Sequence, residues 1–252
     1  MSRHLLIVGA QRSGTTYLHS LLDSHPEITM ARPARPEPKV FLSAQLAARG
    51  REWYEATYFA HVRAETLLGE KSTSYLEHPE AAARAASVLG VAEILVMLRD
   101  PVARAVSNWQ FSTENGLEDR PLDQALADNL RGARDWDRAV SSVSPFAYLE
   151  RGRYADYLDP WYAHFSGHLH VRFLEELTSD GAELASLYKE LGVDPGFQPT
   201  SLGWPVNTSR GAAPGLAPGL VAEIRRYVAD SDARLRTILE RELPWPGRSA
   251  PS

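Results

Sequence analysis

The chain has 252 residues and a mass of 27.9 kDa, enough for one sizeable α/β domain or a domain with a small lid. Its 44% hydrophobic and 23% charged residues are those of an ordinary globular protein. A formal charge of −5 gives no basic excess for a nucleic-acid or other polyanionic partner. Cysteine is absent, which excludes disulfides and thiolate metal sites and fits a cytoplasmic, reducing compartment; no stretch approaches the ~20 apolar residues of a membrane span.

In chain order, His4–Gly9 reads as a buried strand. It is followed by a glycine-containing turn and an amphipathic helix over Thr15–Ser24, with Leu18, Leu21 and Leu22 on one face. Strand, turn and helix in direct succession open a βαβ unit in a parallel sheet. Residues 31–38, ARPARPEP, form a proline-rich turn, and helical patterns occupy 44–58 and 79–89. Glu93–Leu98 is a second apolar run, ending at Arg99-Asp100-Pro101, where a helix over 101–111 begins.

Residues 112–147 are polar and weakly patterned apart from a helical stretch near 121–131; they read as an acceptor-side insertion or lid. Arg153–Phe165 reads as a helix and His168–Phe173 as a third core strand. Thr200–Pro218 reads as a Gly/Pro-rich loop before a long helix over 218–242. No repeat or low-complexity linker divides the chain, so residues 1–252 are expected to form one domain.

Two segments carry the chemistry. Gly9-Ala-Gln-Arg-Ser-Gly14-Thr15-Thr16 has the glycine spacing of a P-loop between a strand and a helix. Helix-start amides, the helix dipole and close backbone approach all favour an anion there. A nucleoside-triphosphatase loop would place Lys where Thr15 stands and an acidic Mg²⁺ site on a neighbouring strand; here the loop cation is Arg12 and the Leu95–Leu98 strand ends in Arg99. A glycine turn with no ligand is the competing reading. The second segment, Arg99-Asp-Pro-Val-Ala-Arg104-Ala-Val-Ser107, offers a guanidinium and a hydroxyl across a helix start as a site for a second phosphate. A capped helix start alone would explain it equally well.

Together these segments resemble the PAPS-dependent sulfotransferases, in particular the heparan-type carbohydrate sulfotransferases and their bacterial relatives. GAQRSGTT resembles the family's 5′-phosphosulfate loop and LRDPVARAVSNW its 3′-phosphate motif. Glu37-Pro38-x-x-Phe41, Gly69-Glu-Lys71-Ser-Thr-Ser-Tyr75-Leu, Gly152-Arg-Tyr154-Ala-Asp and Asn207-Thr-Ser-Arg210-Gly211 follow in the family's order. The resemblance runs from residue 5 to about 245 and implies an α/β, P-loop-like three-layer fold with a central parallel sheet flanked by helices. It implies an enzyme that moves a sulfuryl group from PAPS, leaving PAP, to a hydroxyl of a small-molecule or carbohydrate acceptor, with no metal.

By the same resemblance Glu37 is the general base, and Arg12 and Lys71 are the cations at the leaving oxygen. Gln11, Arg12, Ser13, Gly14, Thr15 and Thr16 hold the 5′ end of the donor, Arg99 and Ser107 its 3′ phosphate, and Asn207, Arg210 and Gly211 close over it. Lysine is scarce, with Lys39, Lys71 and Lys189 the only three among 27 basic residues, which adds interest to Lys71. The sequence departs from the family twice: Arg12 stands where Lys is usual, and the usual Lys-Glu-Pro is Pro36-Glu37-Pro38. A histidine base drawn from His4, His19, His25 or His61 is the rival assignment, and Glu70 is either a second acid–base group or a partner that orients Lys71. At the level of function the alternatives are a small-molecule kinase using ATP and a non-catalytic PAP-binding protein. The acceptor's identity and the oligomeric state are not legible in the sequence.

Overall fold

The computed structural model describes residues 2–137, 143–179, 181–203 and 215–246. In chain order these form β1 (Arg3–Gly9), α1 (Thr15–Asp23), β2 (Ile28–Met30), α2 (Ala44–Ala47), α3 (Gly50–Tyr58), β3 (Leu67–Lys71), α4 (Pro79–Leu89), β4 (Glu93–Leu98), α5 (Pro101–Glu114) and α6 (Leu122–Asn129). They continue with α7 (Asp159–His164), β5 (Leu169–Phe173), α8 (Leu174–Ser179), α9 (Gly181–Glu190) and α10 (Pro218–Leu239). The chain divides into two compact units, Met1–Leu98 with Tyr157–Asn207 and Arg99–Asp156 with Thr208–Ser252.

The first unit holds a five-stranded sheet in the order β2-β3-β1-β4-β5, and every pairing is parallel. A parallel sheet is covered on both faces, which is why β1 and β4 are continuous apolar runs rather than alternating ones. On one face Leu5 and Ile7 pack with Tyr17, Leu18, Leu21 and Leu22 of α1 and with Leu184, Leu187 and Tyr188 of α9. The alternate residues of β1 point the other way. There the His4 ring lies 5.7 Å from Tyr54 and 6.1 Å from Phe59, bringing α3 onto the second face, and α4 packs with both α3 and α7. Helix, sheet and helix make the three-layer α/β arrangement expected from the sequence.

Several elements differ from the sequence reading for identifiable reasons. β3 carries Gly69, Glu70 and Lys71, which conceal its apolar character, yet it lies between β2 and β1. His168–Phe173 is not a core strand: β5 is an edge strand, half-buried along most of its length, and its polar side chains His170 and Arg172 are paired with Glu93 and Glu190. The helix expected over Arg153–Phe165 is broken into a 3₁₀ turn at Tyr154–Tyr157 and α7, because Pro160 cannot continue a helix from the preceding turn. The pattern over 44–58 likewise divides into α2 and α3, with Gly50 at φ 78° as the first residue of α3.

The second unit gathers α5, α6 and α10 around Ala105, Leu122, Ala125, Leu126, Phe146, Tyr148 and Ile224. Glu118 is buried there and accepts from Tyr148 Oη at 2.9 Å and from Arg120 Nη2 at 2.7 Å. Among the described residues no helix is long and apolar enough to cross a membrane.

Gly69 faces Met30 in the β2–β3 register, and a Cβ at Gly69 would lie 2.3 Å from Met30 Sδ. Overpacking of this kind costs about 1–3 kcal/mol. Gly69→Ala is therefore expected to lower the free energy of unfolding by about that amount, read as a reduced midpoint in urea with an unchanged slope.

Candidate active site

At the end of β1 the chain turns sharply into α1. Ala10 N–H donates to Met97 C=O at 2.8 Å, tying the loop to β4, and Ser13 N–H donates to Ala10 C=O at 3.3 Å. Arg12 and Gly14 both have left-handed backbones, at φ 65° and 81°. Glycine is required at the second position, because a Cβ there would lie 2.5 Å from Leu174 Cδ1 as well as carrying the steric cost of that conformation. The first backbone bond of α1 runs from Leu18 N–H to Gly14 C=O, so the amides of Thr15, Thr16 and Tyr17 precede the helical ladder. No acidic side chain occupies that first turn. Ser13 is wholly buried, and its Oγ has no hydrogen-bond partner. A buried unsatisfied hydroxyl beside ladder-free amides is what an anion cradle provides.

β3 delivers the second component. Lys71, its last residue, donates from Nζ to Glu37 Oε1 at 2.5 Å. Thr73 adds its N–H to Glu37 Oε2 at 3.0 Å and its hydroxyl to both carboxylate oxygens at 3.2 and 3.3 Å. The sequence places Glu37 and Lys71 thirty-four residues apart, and the fold brings them into one ion pair. Both side chains keep some exposure, 17% for Glu37 and 10% for Lys71, so the pair is half-buried and reachable. The proline-rich turn is fastened further back by Arg32, which clamps Asp23 of α1 at 2.7 and 2.8 Å.

Glu70 does not serve Lys71. Successive strand residues point to opposite faces, and the Glu70 carboxylate is buried, accepting from Tyr54 Oη, Ser72 Oγ and Tyr75 Oη at 2.6 to 2.7 Å. Burial holds this carboxyl above the ordinary glutamate range, against the three hydroxyl donors that favour its charge. Thr73, Ser72 and Tyr75 are functional neighbours that sequence reasoning did not assign, although the Gly69–Leu76 motif contains all three.

The histidines separate by environment. His25 Nδ1 accepts from Glu27 N–H, which leaves Nε2–H to donate to Asp194 C=O: a structural ring. His4 is buried against Tyr54 and paired with Glu55, and His61 bonds Thr29 and Met30. His19, on α1, has Lys71 and Glu37 among its electrostatic neighbours, together with Asp23 and Arg32; burial pushes its pKa down to about 4. It is therefore a neutral imidazole at physiological pH.

In the second unit Asp100 caps α5, accepting from Val102 N–H at 2.8 Å and from Arg225 at 2.5 Å. Arg99 immediately precedes this cap, and its carbonyl accepts from Tyr154 Oη at 2.7 Å. Ser107 is buried in the second turn of α5. Gly152 lies so close to Pro101 that a Cβ would be 3.0 Å from the proline Cβ. The Gly152-Arg-Tyr154 motif thus braces the Arg99 segment. Arg104 is fully buried and donates to Tyr148 C=O and Asn108 Oδ1. Asn207, Arg210 and Gly211 lie outside the described residues. Among the described residues no group of three or more His, Asp or Glu side chains is arranged to hold a metal ion.

The His19 shift has a pH consequence. The unfolded chain takes up this proton near 6.5 and the folded protein only near 4, so stability falls as pH drops through that window, by up to about 3 kcal/mol. His19→Gln is expected to flatten that fall in unfolding measurements between pH 4 and 6.5. An unchanged slope would show that the imidazole protonates freely in the folded protein.

Comparison with known proteins gives a consistent picture. The sequence profile described as the sulfotransferase domain matches residues 2–183. The bifunctional heparan sulfate N-deacetylase/N-sulfotransferase 1 of Caenorhabditis briggsae is 31% identical over 195 residues, covering 74% of this chain and 22% of the relative. The heparan sulfate glucosamine 3-O-sulfotransferase 3B1 of Mus musculus is 30% identical over 190 residues, covering 75% of this chain and 45% of the relative. The chain thus spans less than half the length of these curated relatives. A sulfotransferase crystal structure from Alicyclobacillus acidocaldarius superposes with a TM-score of 0.76 at 25% identity, covering 96% of this chain and 98% of that one. With the profile covering most of its length, and with a P-loop-like parallel sheet beneath the match, the chain belongs to the sulfotransferase domain family.

Proposed function

We propose that the protein transfers the sulfuryl group of PAPS to a hydroxyl of a small-molecule or carbohydrate acceptor, with Glu37 as general base. The observation that carries this reading is the Glu37–Lys71 pair at 2.5 Å, a base and a cation in contact at the carboxyl end of β3. In-line transfer forms a bond from the acceptor oxygen to sulfur and breaks the bond from sulfur to the bridging oxygen, which leaves with the electron pair on the 5′ phosphate of PAP. The acceptor proton must go to a base, and the charge on the leaving oxygen must meet a cation. Glu37 takes the proton. Lys71 passes from Glu37 to the bridging oxygen as the donor binds, which frees the carboxylate for the acceptor.

The Ser13 hydroxyl and the amides of Thr15 and Thr16 receive the 5′ phosphate, with Gln11, Arg12 and Gly14 completing the cradle. Arg12 supplies a planar, permanently charged fork where relatives use an ammonium, so it suits binding of phosphate oxygens more than following a single atom. Arg99 and Ser107 receive the 3′ phosphate, and Asn207, Arg210 and Gly211 are assigned to the donor by the family resemblance alone. The names of the mouse and nematode relatives both point to carbohydrate acceptors; the mouse 3-O-sulfotransferase supports a hydroxyl acceptor here, whereas the nematode N-sulfotransferase acts on nitrogen. Acceptor selectivity is assigned to the 112–147 segment by the sequence reading; within the second unit, Leu117, Arg134, Trp136, Pro145 and Phe146 line a cavity of about 230 Å³. An ATP-dependent kinase fits less well, because Thr15 replaces the loop lysine that such an enzyme uses on its β- and γ-phosphates.

The test is transfer of labelled sulfate from PAPS to a panel of sugar and alcohol acceptors, alongside thermal shift with PAP and with ATP plus Mg²⁺. Stabilisation by PAP without metal is expected. Glu37→Gln should lose on the order of 10²–10⁴-fold in turnover while still being stabilised by PAP. Near-normal turnover in Glu37→Gln would remove it as the base, and stabilisation only by ATP with Mg²⁺ would favour the kinase.

A further inference from the structure

Glu37 reaches Lys71 from a stretch of chain with little regular structure, so something must fix that stretch to a fraction of an ångström. Lys39, two residues on, has a left-handed backbone at φ 51°, an unfavourable state for a side chain with a Cβ unless neighbours hold it. Its N–H donates to Ser72 Oγ at 2.9 Å, and the N–H of Phe41 donates to Tyr75 Oη at 3.2 Å. Each hydroxyl passes its own proton to the same atom: Ser72 to Glu70 Oε1 at 2.6 Å and Tyr75 to Glu70 Oε1 at 2.7 Å. Tyr54 saturates the other oxygen at 2.6 Å.

The amides can only donate, so the Ser72 and Tyr75 hydroxyls accept from them and turn their own protons toward Glu70 Oε1. The two tyrosines stay protonated donors, since burial and the nearby carboxylate raise both pKa values well above the usual phenol range. On the carbonyl side of the same segment Arg84 donates to Phe41 and Leu42 C=O, both at 3.0 Å.

We propose that Glu70 is a positioning residue for Glu37: acting through the Ser72 and Tyr75 hydroxyls, its carboxylate sets the backbone of Lys39–Phe41 and so the contact between Glu37 and Lys71. The Ser72–Thr73 turn serves both ends of this arrangement, Ser72 relaying to Glu70 while Thr73 holds the Glu37 carboxylate directly. The catalytic consequence rests on the assignment of Glu37 as base, whereas the positioning itself does not.

The scarcity of lysine makes the contact observable. With Lys39, Lys71 and Lys189 the only lysines, the ¹H–¹³C spectrum of the lysine ε-methylenes holds three signals, assignable by Lys→Arg substitution. Glu37→Gln defines the position of the Lys71 signal when the pair is broken. Tyr75→Phe keeps the ring that packs 5.5 Å from Phe41 and removes only the relay hydroxyl; Ser72→Ala removes the other relay. Both are expected to move the Lys71 signal toward its Glu37→Gln position and leave Lys189, on α9, unmoved. Glu70→Gln, which keeps one acceptor oxygen for the two relay hydroxyls, should hold the Lys71 signal near its wild-type position. A Lys71 signal unmoved by Tyr75→Phe in the folded protein overturns the inference, and Tyr75→Phe decides alone if Ser72→Ala does not fold.

Turnover supplies the second readout. Tyr75→Phe is expected to lose on the order of 10–100-fold in kcat with PAP stabilisation retained. Added to Glu37→Gln it should cost nothing further, whereas a general loss of folded protein would multiply the two effects. Lys71 shifts without any PAPS-dependent transfer by the wild type would keep the positioning role and reject the function assigned to Glu37.

Discussion

Every strand of the sheet runs the same way, so every strand must hand the chain to a crossover at the same edge. That constraint places chemistry at the carboxyl ends of the strands. β1 ends in the loop that starts α1, with its ladder-free amides and the partnerless hydroxyl of Ser13. β3 ends in Lys71 and the Ser72–Thr73 turn that receives Glu37. β4 ends at Leu98, one residue before Arg99. A parallel sheet cannot reverse direction between neighbours, and it concentrates helix starts where anions are best met.

The burial pattern serves this edge. Apolar runs in β1 and β4 supply the rigid floor, and the exceptions to apolarity are informative. Glu70 is buried in the core of the first unit, which is costly for a carboxyl group unless its oxygens are hydrogen-bonded. Both are bonded, by three hydroxyls, two of which are themselves held by backbone amides of the segment that carries Glu37. The polar exception in the core and the half-exposed pair at its rim are thus parts of one arrangement.

The departures from the family pattern take on different weights once the geometry is described. Pro36 in place of a lysine leaves Glu37 with its cation supplied from β3, by Lys71. Arg12 in place of lysine lies in a left-handed turn beside the helix start, where a forked cation can meet more than one oxygen of an anion. Neither change removes a cation from the loop or from the carboxylate.

The sequence by itself determined the class of fold and the loops that matter, because those signals are local. Continuous apolar runs mark buried parallel strands, glycine spacing marks the turn after β1, and Asp100-Pro101 marks a capped helix start. Only the tertiary structure decided which residues meet. Glu37 and Lys71 are joined because β3 inserts between β2 and β1, and nothing local in Gly69-Glu-Lys71 announces a strand. The same pleat sends Glu70 inward and Lys71 outward, so Glu70 is neither the second acid–base group nor the partner of Lys71 that the sequence left open. β5 shows the converse limit: its pattern was legible, but its place at the edge, with His170 and Arg172 paired to acids, follows from having only β4 beside it. Local propensity is written in neighbouring residues, whereas contact between distant ones depends on strand order, which the pattern of any single segment does not encode.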